Sequence, residues 1–151
     1  MIVNERIVSY IHSLEKTNSE VLEKIEEQAH IDNVPIIRKE MESFLRVMLY
    51  IKKPKRILEL GTAVGYSAIL MSECIDEDGK ITTIENYEKR IPVAKDNFRR
   101  AGRESQITLL EGDAGEILKN LCIYGCSKGA VHLLFAGGFA SDEKRSSSHY
   151  R

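Results

Sequence analysis

The chain has 151 residues, a formal net charge of −1 and a sequence pI near 6.4. This length predicts one domain with its own core, and the near-neutral charge argues against a generally basic nucleic-acid surface. Cys74, Cys122 and Cys126 form no Cys-x-x-Cys pair and have no histidine at metal-ligand spacing. We therefore expect a reducing, cytoplasmic compartment, and the lack of a signal peptide or long apolar run predicts no membrane partner.

Three apolar stripes with helical spacing precede the first predicted strand and indicate helices that pack on the core. The stripes are Ile7, Tyr10, Ile11 and Leu14; Val21, Leu22, Ile25 and Ala29; and Met41, Phe44, Leu45, Met48 and Leu49. Asn18 or Ser19 can cap the second helix. His30 stands alone beside a loop. We interpret it as a solvated side chain in preference to a general base.

Residues 56–67, Arg-Ile-Leu-Glu-Leu-Gly-Thr-Ala-Val-Gly-Tyr-Ser, combine a short apolar run with two glycines and the start of a helical pattern. The apolar residues Ile57, Leu58 and Leu60 predict a buried strand. Gly61 and Gly65 lack a Cβ, so backbone N–H groups of this loop can approach a ligand closely. The spacing is not the Gly-x-Gly-x-x-Gly of dinucleotide folds, and the Gly-Lys-Ser/Thr ending of phosphate-binding loops is absent, which disfavours NAD and ATP.

Glu59 lies at the end of this strand, where a pyrophosphate would sit in a dinucleotide fold. A carboxylate there would repel that anion but could pair with the ammonium group of a cofactor that carries an amino acid. S-adenosylmethionine meets this requirement. The alternative is a strand-to-helix turn that binds no ligand.

Two more acidic residues follow predicted strands. Residues 80–85 form a β-branched run that ends in Glu85, and a helical pattern runs over residues 87–101. Glu85 follows Gly61 by 24 positions, the βαβ spacing at which an acid reaches ribose hydroxyls. Residues 106–111 form a third strand, followed by Gly-Asp-Ala at 112–114 and a helix over 115–121. Each acid by itself could be an ordinary helix N-terminal residue.

Residues 58–67 resemble the first motif of class I methyltransferases, in the variant of the metal-dependent O-methyltransferases related to catechol O-methyltransferase. The resemblance implies an α/β, Rossmann-like, doubly wound parallel sheet with an N-terminal helical extension. It implies S-adenosylmethionine as cofactor, Mg²⁺ or Mn²⁺ as the metal, and acceptance by Asp113 from the adenine amine. The implied cofactor-binding residues are Ile37, Glu59, Gly61, Thr62, Ala63, Gly65, Ser67, Glu85, Asp113 and Ala114.

Residues 29–41 resemble one bacterial subgroup of that family, which methylates 5-hydroxyuridine at the wobble position of tRNA. In that subgroup the residue corresponding to Ile37 lies against the cofactor. The resemblance therefore implies tRNA as the substrate of the intact protein. A small catechol-type substrate and a cofactor-binding remnant without turnover are the alternatives.

The resemblance covers residues 1 to about 121. In the family a fourth strand then ends in Asp-Ala-Ala-Lys-Gly-Gln-Tyr, whose aspartate is the first metal ligand, but no acidic residue lies here between Glu116 and Asp142. Codons for residues 122–144, read one base later, can spell that motif. We therefore predict N-terminal helices over 1–52, a cofactor-binding half-domain over 53–121 and a frameshifted tail over 122–151. No catalytic or metal-binding residue is assigned, and the chain is expected to be inactive.

The tail nevertheless contains an apolar run at residues 131–135, which predicts a strand beside the first one. A sheet truncated after about its fourth strand would expose apolar surface and an unpaired edge. We therefore expect a homodimer or other self-association.

Overall fold

The computed structural model describes residues 4–14, 17–125 and 133–136 and has helices packed around one parallel sheet. The helices are α1 (Glu5–Ser13), α2 (Glu20–Ile31), α3 (Lys39–Lys52), α4 (Tyr66–Ser72), α5 (Ile91–Arg100) and α6 (Ala114–Gly125). The strands are β1 (Arg56–Leu60), β2 (Lys80–Glu85), β3 (Ile107–Glu111) and β4 (Leu133–Ala136). Within the described ranges, no helix is both long and apolar enough to cross a membrane.

The sheet has the order β3-β2-β1-β4, and each neighbouring pair is parallel. The chain advances from β1 to β3 on one side of β1 and then places β4 on the other side. This reversal makes a topological switch point beside β1, the position at which open α/β sheets bind ligands. The predicted Rossmann-like α/β fold is thus confirmed, as is a strand beside β1 at Leu133–Ala136; Val131 and His132 lie outside the described residues.

Helix α4 lies at the centre of the molecule, and all of its residues are buried. It contacts α2 and α3 on one side and β2 and β3 on the other. Its apolar side chains share one core cluster with Ile57, Ile81 and Ile107 of the sheet. Leu58 and Leu60 are only half-buried, because the two-residue period of a strand turns them to the opposite face.

The apolar stripes of the N-terminal helices have different outcomes. Leu22, Ile25 and Ala29 are buried as predicted, and Ser19 caps α2 by accepting from Leu22 N–H. The first stripe does form a helix, α1, but its predicted packing on the core is wrong, because the side chains of Ile7, Tyr10 and Leu14 are exposed. The side chain of Ile11 lies outside the described set. The third stripe is half right: Leu45 and Leu49 are buried, whereas Met41 and Phe44 are exposed.

Three helices begin or end at residues other than those predicted from the sequence. Helix α5 begins at Ile91, not Tyr87, because Tyr87 N–H donates to the Glu85 carboxylate and Pro92 suits a first helical turn. Helix α4 begins at Tyr66 with Gly65 as its N-cap, one residue before Ser67. Helix α6 runs from Ala114 to Gly125, beyond the expected residues 115–121.

Candidate functional site

Residues 61–65, which we call the first loop, join β1 to α4 at the switch point of the sheet. Gly61 N–H donates to the carbonyl of Ile84 at 2.8 Å, so the loop leaves β1 in register with β2. Gly61, Ala63 and Gly65 all have left-handed backbone conformations, with φ of 80°, 50° and 86°. The loop is therefore a tight turn whose shape must be held by its surroundings.

Gly65 meets α5 at close range. A Cβ at this position would lie 2.6 Å from Cε1 of Phe98, far inside van der Waals contact. Its φ also lies in the region that side-chain-bearing residues rarely adopt. Glycine is required here both by the backbone and by the aromatic ring below it.

Glu85 connects the segments that follow all three of the first strands. Its buried carboxylate accepts from Ala63 N–H at 2.8 Å and from the N–H groups of Asn86 and Tyr87, both at 3.0 Å. Its backbone carbonyl accepts from Gly112 N–H at 2.9 Å. The carboxylate thus holds the first loop and the turn that follows β2 in fixed positions.

Glu59 is completely buried beneath the first loop. Its two carboxylate oxygens accept from Ser67 Oγ and Thr83 Oγ1, each at 2.5 Å. Burial raises the pKa of Glu59, and these two hydroxyl donors oppose the rise. In this structure the carboxylate holds Ser67 in place; its expected contact with a cofactor ammonium group stays a prediction.

Thr62 supplies the observation that tests whether a polar cofactor fits the loop. Its hydroxyl oxygen is buried and lies close enough to Glu59 to help lower the pKa of that carboxyl, but within the described residues it makes no hydrogen bond of full geometry. A buried hydroxyl with so weak a partner is unfavourable, and a ligand with hydroxyl or charged groups would satisfy it. Together with the glycine turn and the Glu85 carboxylate, this hydroxyl fits the amino-acid and ribose groups of S-adenosylmethionine.

Asp113 and Ala114 begin α6 beside the end of β3. Asp113 is exposed, and its Oδ1 accepts from Glu116 N–H at 3.0 Å, which is the geometry of a helix N-cap. The ordinary helix-capping interpretation of this acid is therefore confirmed. A contact between Asp113 and an adenine amine is compatible with the remaining oxygen and stays a prediction.

The structure places nine of the ten predicted cofactor residues at the carboxyl ends of β1, β2 and β3 or at the starts of the helices that follow. Ile37 lies in the linker between α2 and α3, where it is half-buried against the core cluster. The other nine are Glu59, Gly61, Thr62, Ala63, Gly65, Ser67, Glu85, Asp113 and Ala114.

Three further residues support this site and were not predicted from the sequence. Thr83 donates to Glu59, Asn97 donates from Nδ2 to the Val64 carbonyl at 2.8 Å, and Phe98 packs below Gly65. Asn97 had a detectable signal, because helical spacing places it on the apolar face of α5 and a polar residue there needs a buried partner. Thr83 had none, because its position opposite Glu59 depends on strand register.

The described residues offer no corresponding metal site. Within residues 4–14, 17–125 and 133–136, no group of three histidine, cysteine, aspartate or glutamate side chains could hold a metal ion. The expected Mg²⁺ or Mn²⁺ therefore has no fitting set of ligands in this part of the chain.

Known proteins resemble this chain in both sequence and fold. A family model described as O-methyltransferase matches residues 11–150. A catechol O-methyltransferase from Niastella koreensis is 40% identical over 78 residues, which are 52% of this chain and 35% of that protein. A caffeoyl-CoA O-methyltransferase from Stellaria longipes is 33% identical over 91 residues, which are 60% of this chain and 38% of that protein.

Among solved structures, the O-methyltransferase TomG from Streptomyces achromogenes, involved in tomaymycin synthesis and in complex with SAM, has a TM-score of 0.76 and 25% identity. That alignment covers 91% of this chain and 63% of the other. The chain thus spans well under half the length of these two curated relatives, 35% and 38%. The family match also includes residues 122–150, a stretch that lacks the Asp-Ala-Ala-Lys-Gly-Gln-Tyr motif. Since that match runs from residue 11 to residue 150, the chain belongs to the O-methyltransferase family.

Proposed function

We propose that this chain binds S-adenosylmethionine at the carboxyl ends of β1 and β2, as the cofactor-binding part of an O-methyltransferase. The observation that carries the proposal is the left-handed first loop, which the Glu85 carboxylate holds through Ala63 N–H and whose Thr62 hydroxyl is buried. Family membership and the SAM bound to TomG support it. The odd number of cysteines, with no Cys-x-x-Cys pair in the sequence, supports a cytoplasmic setting.

Each group at the site has a distinct part in binding. S-adenosylmethionine supplies an electrophilic methyl group, and the protein must position that methyl group beside a substrate oxygen. Glu85 would accept from the ribose hydroxyls, and the backbone around Ala63 would face the amino-acid part. Glu59 would orient Ser67 and favour the cofactor ammonium group, while Asp113 would accept from the adenine amine.

Titration calorimetry with S-adenosylhomocysteine tests this assignment. We expect Glu85→Gln to weaken binding about tenfold. The free energy of binding should fall by about 1–3 kcal/mol when an amide replaces the charged acceptor of the ribose hydroxyls. Glu111→Gln is the matched control, because Glu111 also ends a strand but is exposed and pairs with Lys95. No binding by the folded parent chain, or equal affinity in Glu85→Gln, contradicts the assignment.

Two substrate classes can be proposed for the intact protein. The resemblance of residues 29–41 supports tRNA that contains 5-hydroxyuridine. The names of the relatives, catechol and caffeoyl-CoA O-methyltransferase, support a small phenolic substrate. The basic residues 52–56 give little support to tRNA, because Lys55 already pairs with Asp76 and Asp78 at 2.9 and 2.6 Å.

We further propose that residues 122–151 are read out of frame and that methyl transfer needs the metal-binding aspartate of the shifted frame. The absence of any acidic residue between Glu116 and Asp142 supports this proposal. The assay compares the 151-residue chain with its frame-corrected form, on both tRNA and catechol, with Mg²⁺ or Mn²⁺ added. We expect turnover only after correction. Metal-dependent turnover by the 151-residue chain contradicts the frame proposal, whereas catechol preference in the corrected protein replaces only the tRNA assignment.

A further inference from the structure

We propose that Asn97 is a positioning residue for the cofactor: it fixes the shape of the first loop through the Val64 carbonyl, without itself contacting the ligand. This inference rests on the proposed function, since it names the residue on which the cofactor site depends for its shape. Asn97 lies on α5 and is buried.

Both ends of the Asn97 amide are fixed. Nδ2 donates to the Val64 carbonyl at 2.8 Å, and Oδ1 accepts from Arg100 Nη1 at 3.2 Å. A guanidinium only donates, so it must face the amide oxygen. The amide N–H groups are thereby directed toward Val64. The orientation of this side chain is set by chemistry on both sides.

The Val64 carbonyl is an effective place to hold the loop. It belongs to the same planar peptide unit as Gly65 N–H, so the two groups can only rotate together. Gly65 N–H donates to the Thr62 carbonyl at 2.8 Å, and this bond closes the turn. A hydrogen bond to the Val64 carbonyl therefore also fixes the N–H that closes the loop.

The loop needs such support because of its backbone. Ala63 has φ of 50° although it carries a Cβ, and it lies between two left-handed glycines. Such conformations persist when the surroundings determine them. Glu85 holds Ala63 N–H from β2, while Asn97 holds Val64 and Phe98 packs against Gly65 from α5. Without the Asn97 bond, binding would have to include the cost of ordering the loop.

The test uses Asn97→Asp, which keeps the size of the side chain and its acceptor for Arg100 but places an oxygen against the Val64 carbonyl. Gln106→Glu is the matched control: Gln106 is also a buried amide, and its Nε2 donates to the carbonyl of Asp76 at 3.1 Å, away from the first loop. Arg100→Gln removes the contact at the other end of Asn97. The readouts are calorimetric affinity for S-adenosylhomocysteine, thermal unfolding, and hydrogen exchange of the amides of residues 63–66.

We expect about tenfold weaker binding and faster loop exchange in Asn97→Asp, with Gln106→Glu within about twofold of the parent. Arg100→Gln loses the donor that orients the Asn97 amide, so its affinity and loop exchange should lie between those of the parent and Asn97→Asp. Gln106→Glu can lower thermal stability, so an effect on affinity separates positioning from general support of the fold. Asn97→Ser, which is neutral and shorter, serves if Asn97→Asp does not fold.

Parent-like affinity and parent-like loop exchange in the Asn97 variant overturn the proposal, as does an equal loss of affinity in Gln106→Glu. If the folded parent binds no S-adenosylhomocysteine, the cofactor assignment fails, and loop exchange still decides whether Asn97 holds the loop. Faster exchange in Asn97→Asp, but not in Gln106→Glu, then supports the positioning role, and unchanged exchange rejects it.

Discussion

Gly65 combines two constraints that a second glycine of this chain can separate. Gly65 and Gly102 both have left-handed backbones, with φ of 86° and 64°, but a Cβ meets Phe98 only at Gly65 and finds nothing within 4 Å at Gly102. We expect Gly102→Ala to lower the free energy of unfolding by about 1–2 kcal/mol from backbone strain. Gly65→Ala should cost a further 1–3 kcal/mol, roughly, from overpacking.

Urea unfolding of both variants measures this difference. Replacing Phe98 by leucine in the Gly65→Ala background should recover part of the overpacking cost and none of the backbone cost. Equal destabilisation by the two glycine substitutions would mean that the aromatic ring moves aside freely and does not constrain the loop.

Also at the residue scale, Glu59 should make the free energy of unfolding depend on pH. Because burial raises its pKa above the ordinary 4.5, the folded chain keeps a proton that the unfolded chain has released, from about pH 4.5 up to the folded pKa. This group therefore contributes a stability that falls as pH rises through that window. We expect Glu59→Gln to remove the dependence, so that the variant gains stability relative to the parent as pH increases.

Denaturant unfolding at several pH values checks the Glu59 prediction. Glu88→Gln is a control, because Glu88 is an exposed acid in the turn before α5. The free energies of unfolding of the parent and of Glu59→Gln are compared at each pH. If their difference is constant across the window, or changes in the opposite direction, Glu59 does not stay protonated when buried.

At the scale of elements, a polar contact ties the N-terminal helices to the helix that follows the first loop. Tyr66 Oη on α4 is 2.7 Å from Oε1 of Glu42 on α3, and Asn18 Nδ2 donates to both residues. Glu42 is buried and also pairs with Lys39 at 3.3 Å. Burial, reinforced by the neighbouring Glu42, raises the pKa of Tyr66, so its hydroxyl stays protonated and can donate.

We expect Tyr66→Phe to lower the free energy of unfolding by about 1.5–3 kcal/mol, because a buried carboxylate loses a hydroxyl donor. Tyr50→Phe on the exposed side of α3 should change stability little. The measurement is chemical unfolding of the two variants side by side. If both variants are as stable as the parent, Asn18 and Lys39 are sufficient partners for the buried Glu42 carboxylate. The contact between α3 and α4 then stabilises the fold only through apolar side chains.

At the scale of the whole molecule, the exposed apolar side chains on α1 and α3 lead us to expect self-association. Tyr10 is 65% exposed and Phe44 57% exposed, and each belongs to a stripe of similar neighbours. Contiguous exposed apolar area of this kind is unfavourable in water. We expect the sedimentation coefficient of the parent to rise with concentration, and Tyr10→Lys combined with Phe44→Lys to reduce that rise.

Val93→Lys is the control for this prediction. Val93 is also apolar and partly exposed, but it lies on α5. A concentration dependence that is absent in the parent, or that survives in the double lysine variant, contradicts association through α1 and α3.

Local patterns were sufficient for the strands and for the loop that carries the site. The β-branched run at 80–85, the glycine pair and the helix signals follow from steric preferences of individual residues, which act over a few positions. The alternation of strands with helical patterns then indicated a parallel sheet. Sequence spacing alone could not reveal that the α1 stripe is exposed. An apolar helix face predicts that something packs on it, but it does not say which surface does so.

By itself, therefore, the sequence determined the α/β fold, the glycine turn after β1 and the acids at the strand ends. Only the tertiary structure decided what those acids contact. The pairing of Glu59 with Thr83 depends on strand register, and the support of Val64 by Asn97 depends on how α5 packs. These contacts join residues far apart in the chain, and their geometry is fixed only when sheet and helices close around one core.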